Sequence, residues 1–289
     1  MRASLGVGTA TFIPGYGLTS CGRPGPELLD AAFDAGIRYI DTAAAYADSE
    51  AAIGHVARRV RELGVRVATK LQLADPTAAS CREAMEASLG RLDLPCADTV
   101  LLHSAAAEQI ASPGVAAAWI GLRDAGLVNR LGASTYGLEA ARTAIAAPWC
   151  DAVQVEFSIL NQSVVTGLDR RSGRPVEVIA RSVLCKGLLT ASALALPLPA
   201  DARATLQALG ALAADMGMDL TTLAIRFALD TPGIDVVLVG VSDRAELDTA
   251  VRAAELPPLG RAEYGAVAAF DRSHEEWSHP ERWREGTLV

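Results

Sequence analysis

The chain has 289 residues, 51% hydrophobic and 21% charged, with a formal net charge of −8. That is enough chain for one large core or two small ones, and the acidity argues against a nucleic-acid surface, which needs a basic patch. No apolar stretch reaches the roughly 18 residues that cross a bilayer. The opening "MRASLGVGTATF", with one Arg and a short glycine-interrupted apolar patch, makes a poor signal peptide. The five cysteines (Cys21, Cys81, Cys96, Cys150 and Cys185) are scattered and never spaced C-x-x-C. They read as free thiols in a reducing cytoplasm, not as a disulfide framework or zinc site. His55, His103, His274 and His279 contain no H-x-x-x-H pair, and the last two fall in a polar tail, so no metal site is expected.

Short β-branched runs recur along the chain: "LGVGTA" (5–10), "IRYIDT" (37–42), "VRVATK" (65–70), "DTVLLH" (98–103), "RLGAST" (130–135), "AVQVEF" (152–157), "VEVIAR" (176–181) and "VVLVGV" (236–241). Several are apolar without alternation, as in parallel strands covered on both faces. Helical patterns lie between them. In "SEAAIGHVARRVREL", Ile53, Val56, Val60 and Leu63 fall three or four apart, with Arg58, Arg59 and Arg61 facing away. Asp48 or Ser49 is placed to cap its start. "GVAAAWIGLRDAGLVNR" ends its helix near Gly126, a C-terminal glycine.

Strand then helix, eight times in a chain of this length, is the pattern of an α/β protein of the (β/α)₈ barrel type. A doubly wound sheet fits less well, because "GVGTAT" carries Thr11 where a dinucleotide fingerprint wants its third glycine. No linker or repeat divides the chain. The stretch "ALALPLPADAR" (193–203) reads as a loop in the seventh unit, so 1–289 is expected to be one barrel domain.

In such a barrel the chemistry sits at the C-terminal strand ends. The second run ends in Asp41, the third in Lys70, the fourth in His103 and the fifth in Ser134 and Thr135; Gln154 and Glu156 alternate on the sixth, and Tyr46 follows the second. An aspartate closing a buried run needs a partner, and Lys70 can be that partner. A free tyrosine titrates near 10, too high for an efficient donor, and a neighbouring ammonium is expected to lower that value. A carbonyl held between Tyr46 and His103 would be polarised, but none of these side chains donates hydride; a nicotinamide cofactor does. Taken singly, Asp41 with Lys70 is a structural ion pair, His103 a core histidine and Tyr46 a loop aromatic. The four together at three consecutive strand ends point to chemistry.

At these residues the sequence resembles the aldo-keto reductases over nearly its whole length. "LGVGTATF", "GIRYIDTAAAYADSEAAIG", "VATK", "TVLLHS", "GASTYGLEAA", "VQVEFSILNQ" and "ARSVLCKGLLT" follow the family's order. The resemblance implies Asp41, Tyr46, Lys70 and His103 as the catalytic tetrad, with Tyr46 the general acid in carbonyl reduction. It implies a cofactor site of Gly8, Thr9, Asp41, Ser134, Gln154, Arg181, Ser182, Val183, Leu184, Gly187, Gly240, Ser242, Arg244 and Glu246, with Ser134 and Gln154 on the carboxamide. The chain departs from the family pattern in three places: Thr135 stands where Asn is usual, Arg181 and Ser182 where many members stack an aromatic ring, and Glu246 and Ala250 where Gln and Asn are common. Around the adenosine end, "VGVSDRAEL" offers Arg244 for a 2′-phosphate and Asp243 for a free 2′-hydroxyl. The expected cofactor is NADP(H), with NAD(H) also used.

More softly, "ARSVLCKGLL", "SILNQ" and "HPERW" resemble the members found with surface-polysaccharide and sugar-processing genes, which suggests a carbohydrate-type aldehyde, ketone or lactol. The pocket walls are expected from "FIPGYGLTSCGRPG", the stretch after His103 and the tail "EEWSHPERW". Phe12, Tyr16, Trp277 and Trp283 would offer flat apolar surfaces to a sugar ring, beside Tyr46 and His103. Monomer and small homo-oligomer both stay open. Two rival functions remain: a cofactor-binding sensor or partner subunit without turnover, and a lyase using Lys70 as a Schiff-base nucleophile. The lyase needs a depressed lysine pKa, which Asp41 is expected to oppose.

Overall fold

Eight apolar runs form eight parallel strands: β1 (Ser4–Gly8), β2 (Tyr39–Asp41), β3 (Arg66–Leu71), β4 (Ala97–Leu102), β5 (Val128–Ser134), β6 (Ala152–Glu156), β7 (Glu177–Arg181) and β8 (Val236–Gly240). They pair in chain order and β1 closes on β8, giving a barrel with no free edge. The computed structural model describes residues 3–18, 24–72, 77–169 and 174–283.

Helices fill each crossover: α1 (Pro26–Asp34), α2 (Ser49–His55), α3 (Ala57–Leu63), α4 (Ala78–Leu92), α5 (Ala107–Ala111), α6 (Pro113–Asp124), α7 (Leu138–Ala146), α8 (Ser163–Gly167), α9 (Ala200–Asp215) and α10 (Leu220–Asp230), then α11 (Arg244–Glu255) and α12 (Arg261–Ala268). Outward strand residues Val67, Val100, Leu131, Val153, Val178 and Val237 are almost fully buried, in one core with Leu29, Phe33, Met85, Trp119 and Phe227 from the helices. Each such side chain contributes about 1.5–3 kcal/mol by leaving water. Among the described residues no single helix is long and apolar enough to cross a membrane.

Three local expectations are corrected. The single helix expected over 49–63 is two, broken at Val56 (φ −109°, ψ 13°). There the chain runs so close to α4 that a Cβ on Gly54 would collide with the Arg91 carbonyl. Leu63, expected to face inward, is 37% exposed. The stretch 193–203 is only partly loop: a 3₁₀ turn covers Ala191–Ala195, and α9 begins at Ala200.

Alternation along each strand decides what enters the barrel. The inward residues stack in three storeys. At the bottom Arg66 crosses from β3 to make two 2.8 Å bonds with Glu177 of β7, and Arg130 joins them at 2.6 Å. The middle is apolar: Tyr39, Ala68, Leu101, Ala152, Ile179, Val236 and Leu238 form a cluster separate from the outer core. Space there is tight, and a Cβ on Gly132 would strike the Ala152 carbonyl. Two residues further along each strand, the same parity delivers Asp41, Lys70, His103, Ser134, Gln154 and Arg181 to the top.

Candidate active site

Asp41 is the hub of the top storey. Its Oδ2 accepts from Lys70 Nζ at 2.6 Å, and its Oδ1 accepts from Gln154 Nε2 at 2.7 Å, a bond that crosses the barrel from β6 to β2. Gln154 Oε1 accepts from the Ser134 hydroxyl at 3.1 Å. Lys70 also donates to the Thr42 carbonyl at 2.8 Å, and the Thr9 hydroxyl donates to the Asp41 carbonyl at 3.1 Å. The partner that Asp41 needed is therefore Lys70, with Gln154 as a second. Burial lowers the Lys70 pKa despite the opposing pull of Asp41, contrary to the expectation that contact with Asp41 would raise it.

Tyr46 and His103 stand edge to face, ring centres 5.7 Å apart and planes at 80°. Lys70 Nζ lies 4.7 Å from the Tyr46 ring centre, over the ring. The tyrosine pKa is raised, not lowered as the sequence suggested: burial comes first, the Asp41 carboxylate second, and Arg181 only partly opposes them. The ammonium is already neutralised by Asp41 and sits over the ring face, so it does not offset burial. Tyr46 is thus a protonated phenol at neutral pH. His103 is pushed down to about 4, chiefly by burial and then by the charges of Lys70 and Arg181, and its imidazole is neutral. Its Nδ1 is buried without a hydrogen-bond partner, and the ring lines the cavity described next.

These groups open into a cavity of about 680 Å³, inside the range of small-molecule and cofactor sites. Of the residues expected to bind cofactor, Gly8, Asp41, Ser134, Arg181, Ser182, Val183, Leu184, Gly187, Gly240, Ser242 and Glu246 line it. Lys70, Thr9 and Gln154 lie behind the wall, each at most 1% exposed. Arg244 does not line it: its Nε donates to Asp248 Oδ1 at 2.7 Å, with the side chain 69% exposed. Of the expected substrate contacts, Tyr16 lines the cavity with Tyr46 and His103, and burial pushes its pKa up to about 12. Phe12 packs on the core, Trp277 donates to Asp201 at 2.7 Å, and Trp283 donates to the Trp277 carbonyl at 3.1 Å, all away from the cavity lining. Part of the expected wall, residues 19–23, lies outside the described residues.

The structure brings further residues to the site or its walls beyond those expected to form it. Tyr136, just past β5, lines the cavity with its ring under the Arg181 guanidinium at 4.0 Å. Arg181 also donates to the Thr135 carbonyl at 2.7 Å. Glu156 accepts from the Gly137 amide at 2.8 Å, and its other oxygen, buried without a hydrogen bond, pairs with Arg181 at 3.8 Å; burial raises its pKa. His279, expected in a polar tail, is 7% exposed. It contacts Asn161 at 3.2 Å and Ser273 at 2.8 Å, fastening the C-terminal segment to the chain after β6. From that segment Pro280 and Glu281 reach the cavity, and Lys186 donates to the Pro280 carbonyl at 3.0 Å.

A nicotinamide dinucleotide fits these walls. Gly8 presents open space where a side chain would intrude. Past β7, Ser182, Cys185, Lys186 and Gly187 all have positive φ, in a tight turn that lines the cavity and is closed by its own amides, Cys185 to Ser182 and Gly187 to Leu184, each at 2.9 Å.

Barrel, polar top storey and cavity together define a (β/α)₈ barrel protein with a pocket at the C-terminal strand ends. The aldo/keto reductase family model matches residues 4–272, and the chain belongs to that family, whose members use a nicotinamide cofactor on carbonyl compounds. It is 38% identical over 111 residues to an aldo-keto reductase of Mycolicibacterium vanbaalenii, a match spanning 37% of this chain and 38% of that one. It is 32% identical over 145 residues to another from Mycolicibacterium smegmatis, 47% of this chain and 50% of that one. The chain thus matches half or less of the length of these relatives. Among solved structures it superposes on aldo-keto reductase AKR11C1 from Bacillus halodurans, holo form, with a TM-score of 0.75, 21% identity and 94% and 93% coverage. Glycerol dehydrogenase AKR11B4 from Gluconobacter oxydans gives a TM-score of 0.75 at 22% identity, covering 93% and 91%. At these identities the likeness is one of fold.

Proposed function

We propose that the protein is a nicotinamide-dependent oxidoreductase that interconverts a carbonyl and an alcohol, with Tyr46 as general acid in reduction and general base in oxidation. The observation that carries this reading is the perpendicular Tyr46–His103 pair at 5.7 Å at the end of the cavity. A carbonyl oxygen placed there meets a protonated phenol and a neutral imidazole, both suited to donate. When bound, the cofactor supplies or accepts the hydride. Asp41 lines the cavity beside the phenol, and Lys70, bonded to Asp41 from behind, packs over the Tyr46 ring and fixes its position. Ser134 faces the cavity to take the carboxamide, while Gln154 behind it ties Ser134 to Asp41. The Arg181–Tyr136 stack walls the side of the cavity where an aromatic ring is usual.

The substrate proposed is a small aldehyde, ketone or sugar-type carbonyl, entering past Tyr16. Support comes from the polar lining around Tyr46, Ser104 and Arg181 and from a structural neighbour named glycerol dehydrogenase. Cys81, Cys96, Cys150 and Cys185 are free, which suits a reducing cytoplasm. A Schiff base on Lys70 is disfavoured because, although burial lowers its pKa, the amine is bonded to Asp41 and does not line the cavity where a carbonyl would enter. The test is loss of reduced-cofactor absorbance with a panel of aldoses, keto sugars and simple aldehydes, alongside reduction of oxidised cofactor by polyols. Cofactor binding without turnover on any of them would replace the enzyme with a cofactor-binding sensor.

A further inference from the structure

The end of the cavity far from Tyr46 distinguishes NAD(H) from NADP(H), an inference that rests on the oxidoreductase reading above. Tyr46 and His103 hold the reacting carbonyl, so the reactive end of a bound dinucleotide lies beside them. The cavity then passes the Ser182–Gly187 turn and leaves the barrel mouth for the starts of α10 and α11, where Asp219, Thr221, Asp243, Glu246 and Thr249 line it. The adenosine ribose belongs at that end. Three carboxylates face it, and no Lys or Arg of α10 or α11 does.

Two of those carboxylates also occupy the helix start. Asp243 Oδ1 accepts from the Glu246 amide at 2.9 Å, and Glu246 Oε2 accepts from the Ser242 amide at 2.7 Å. Two of the amides that a phosphate would seek, those of Ser242 and Glu246, already carry the chain's own anions. The one cation in the stretch, Arg244, is held outward by Asp248.

We propose that this end selects against a 2′-phosphate, so that the protein binds NAD(H) in preference to NADP(H), with Asp243 and Glu246 as the discriminating residues. A free 2′-hydroxyl donates to either carboxylate. A 2′-phosphate, with roughly two negative charges near neutrality, meets like charge and occupied amides. The order suggested by the sequence is thereby reversed, because Arg244 does not face the ribose.

Equilibrium titration of the intact chain, read by tryptophan fluorescence, tests this with NADH against NADPH and with 5′-AMP against adenosine 2′,5′-bisphosphate. NADH should bind about tenfold or more tightly than NADPH, the scale of a like-charge clash, and the two fragments should differ in the same sense. Raised salt should narrow the gap. Asp243→Ser retains a capping oxygen and Glu246→Gln retains an acceptor for Ser242, so both variants should fold. Each should narrow the gap, and together they should nearly close it. Tighter NADPH binding by the unmodified chain overturns the proposal, as does a gap unmoved in the double variant. So does an Arg244→Ala change that weakens NADPH alone, since Arg244 would then have left Asp248 for the phosphate. Failure of both dinucleotides to bind overturns the oxidoreductase reading itself.

Discussion

The Lys70 ammonium lies over the face of the Tyr46 ring, 4.7 Å from its centre, while its hydrogen bonds go to Asp41 and Thr42. The ammonium packs on the ring face and makes no hydrogen bond to the Tyr46 hydroxyl. Tyr46→Phe keeps the ring and its contact with Lys70 but removes the proton. Turnover should fall by about a hundredfold or more, the scale of general acid catalysis, with cofactor affinity unchanged. Steady-state kinetics and a binding titration check both halves.

Lys70→Met strands Asp41, which is 5% exposed. Losing one partner of a buried pair costs about 3–5 kcal/mol, measurable by urea unfolding. Adding Asp41→Asn removes the orphaned charge and keeps an acceptor for Gln154, so most of the stability should return. Activity should not.

Stability should depend on pH through His103. Its folded value is about 4, below the ordinary 6.5, so the unfolded chain binds the proton more readily. The imidazole's contribution is complete above 6.5 and is lost as pH falls from 6.5 towards 4. His103→Gln should flatten this part of the thermal-stability profile. An unchanged slope between those values would place the titrating group elsewhere.

Two glycines should respond oppositely to alanine. At Gly132 the new methyl is driven against the Ala152 carbonyl and the Leu101 side chain, and overpacking of this kind costs about 1–3 kcal/mol or more. At Gly8 it meets nothing within 4 Å, so the melting temperature should hold. Because Gly8 lines the cavity, Gly8→Ala should instead weaken dinucleotide binding. Thermal melts and a titration of each variant separate the two effects.

The barrel was legible because covered parallel strands write themselves as short β-branched runs, and all eight fell within two residues of their observed bounds. The grouping of Asp41, Lys70 and His103 was legible for the same reason, since inward parity fixes which residues share a storey. Side-chain direction beyond the strands was not. Arg244 pairs with Asp248 one helical turn on, a local choice open to many exposed arginines. Trp277 and Trp283 are tied within or beneath the C-terminal segment instead of facing a sugar. Tyr136 gains its role only when Arg181 arrives from β7, forty-five positions later in sequence. The direction of the Tyr46 shift depends on burial outweighing a cation that is already paired, a balance that no spacing of residues encodes.

The three-storey interior also has a consequence for how this protein can change. Four residues separate Arg66 from Lys70 on β3, and the same number separates Glu177 from Arg181 on β7, about 13 Å of strand in each case. The apolar middle insulates the ionic foundation from the chemistry above it. At such separation substitutions act nearly additively, so the foundation can be reinforced without retuning the mouth. Lining positions such as Tyr16, Ser104 and Tyr136 can then be varied, with lost stability restored from below. The same strands that hold the reaction in place thus leave its specificity free to drift.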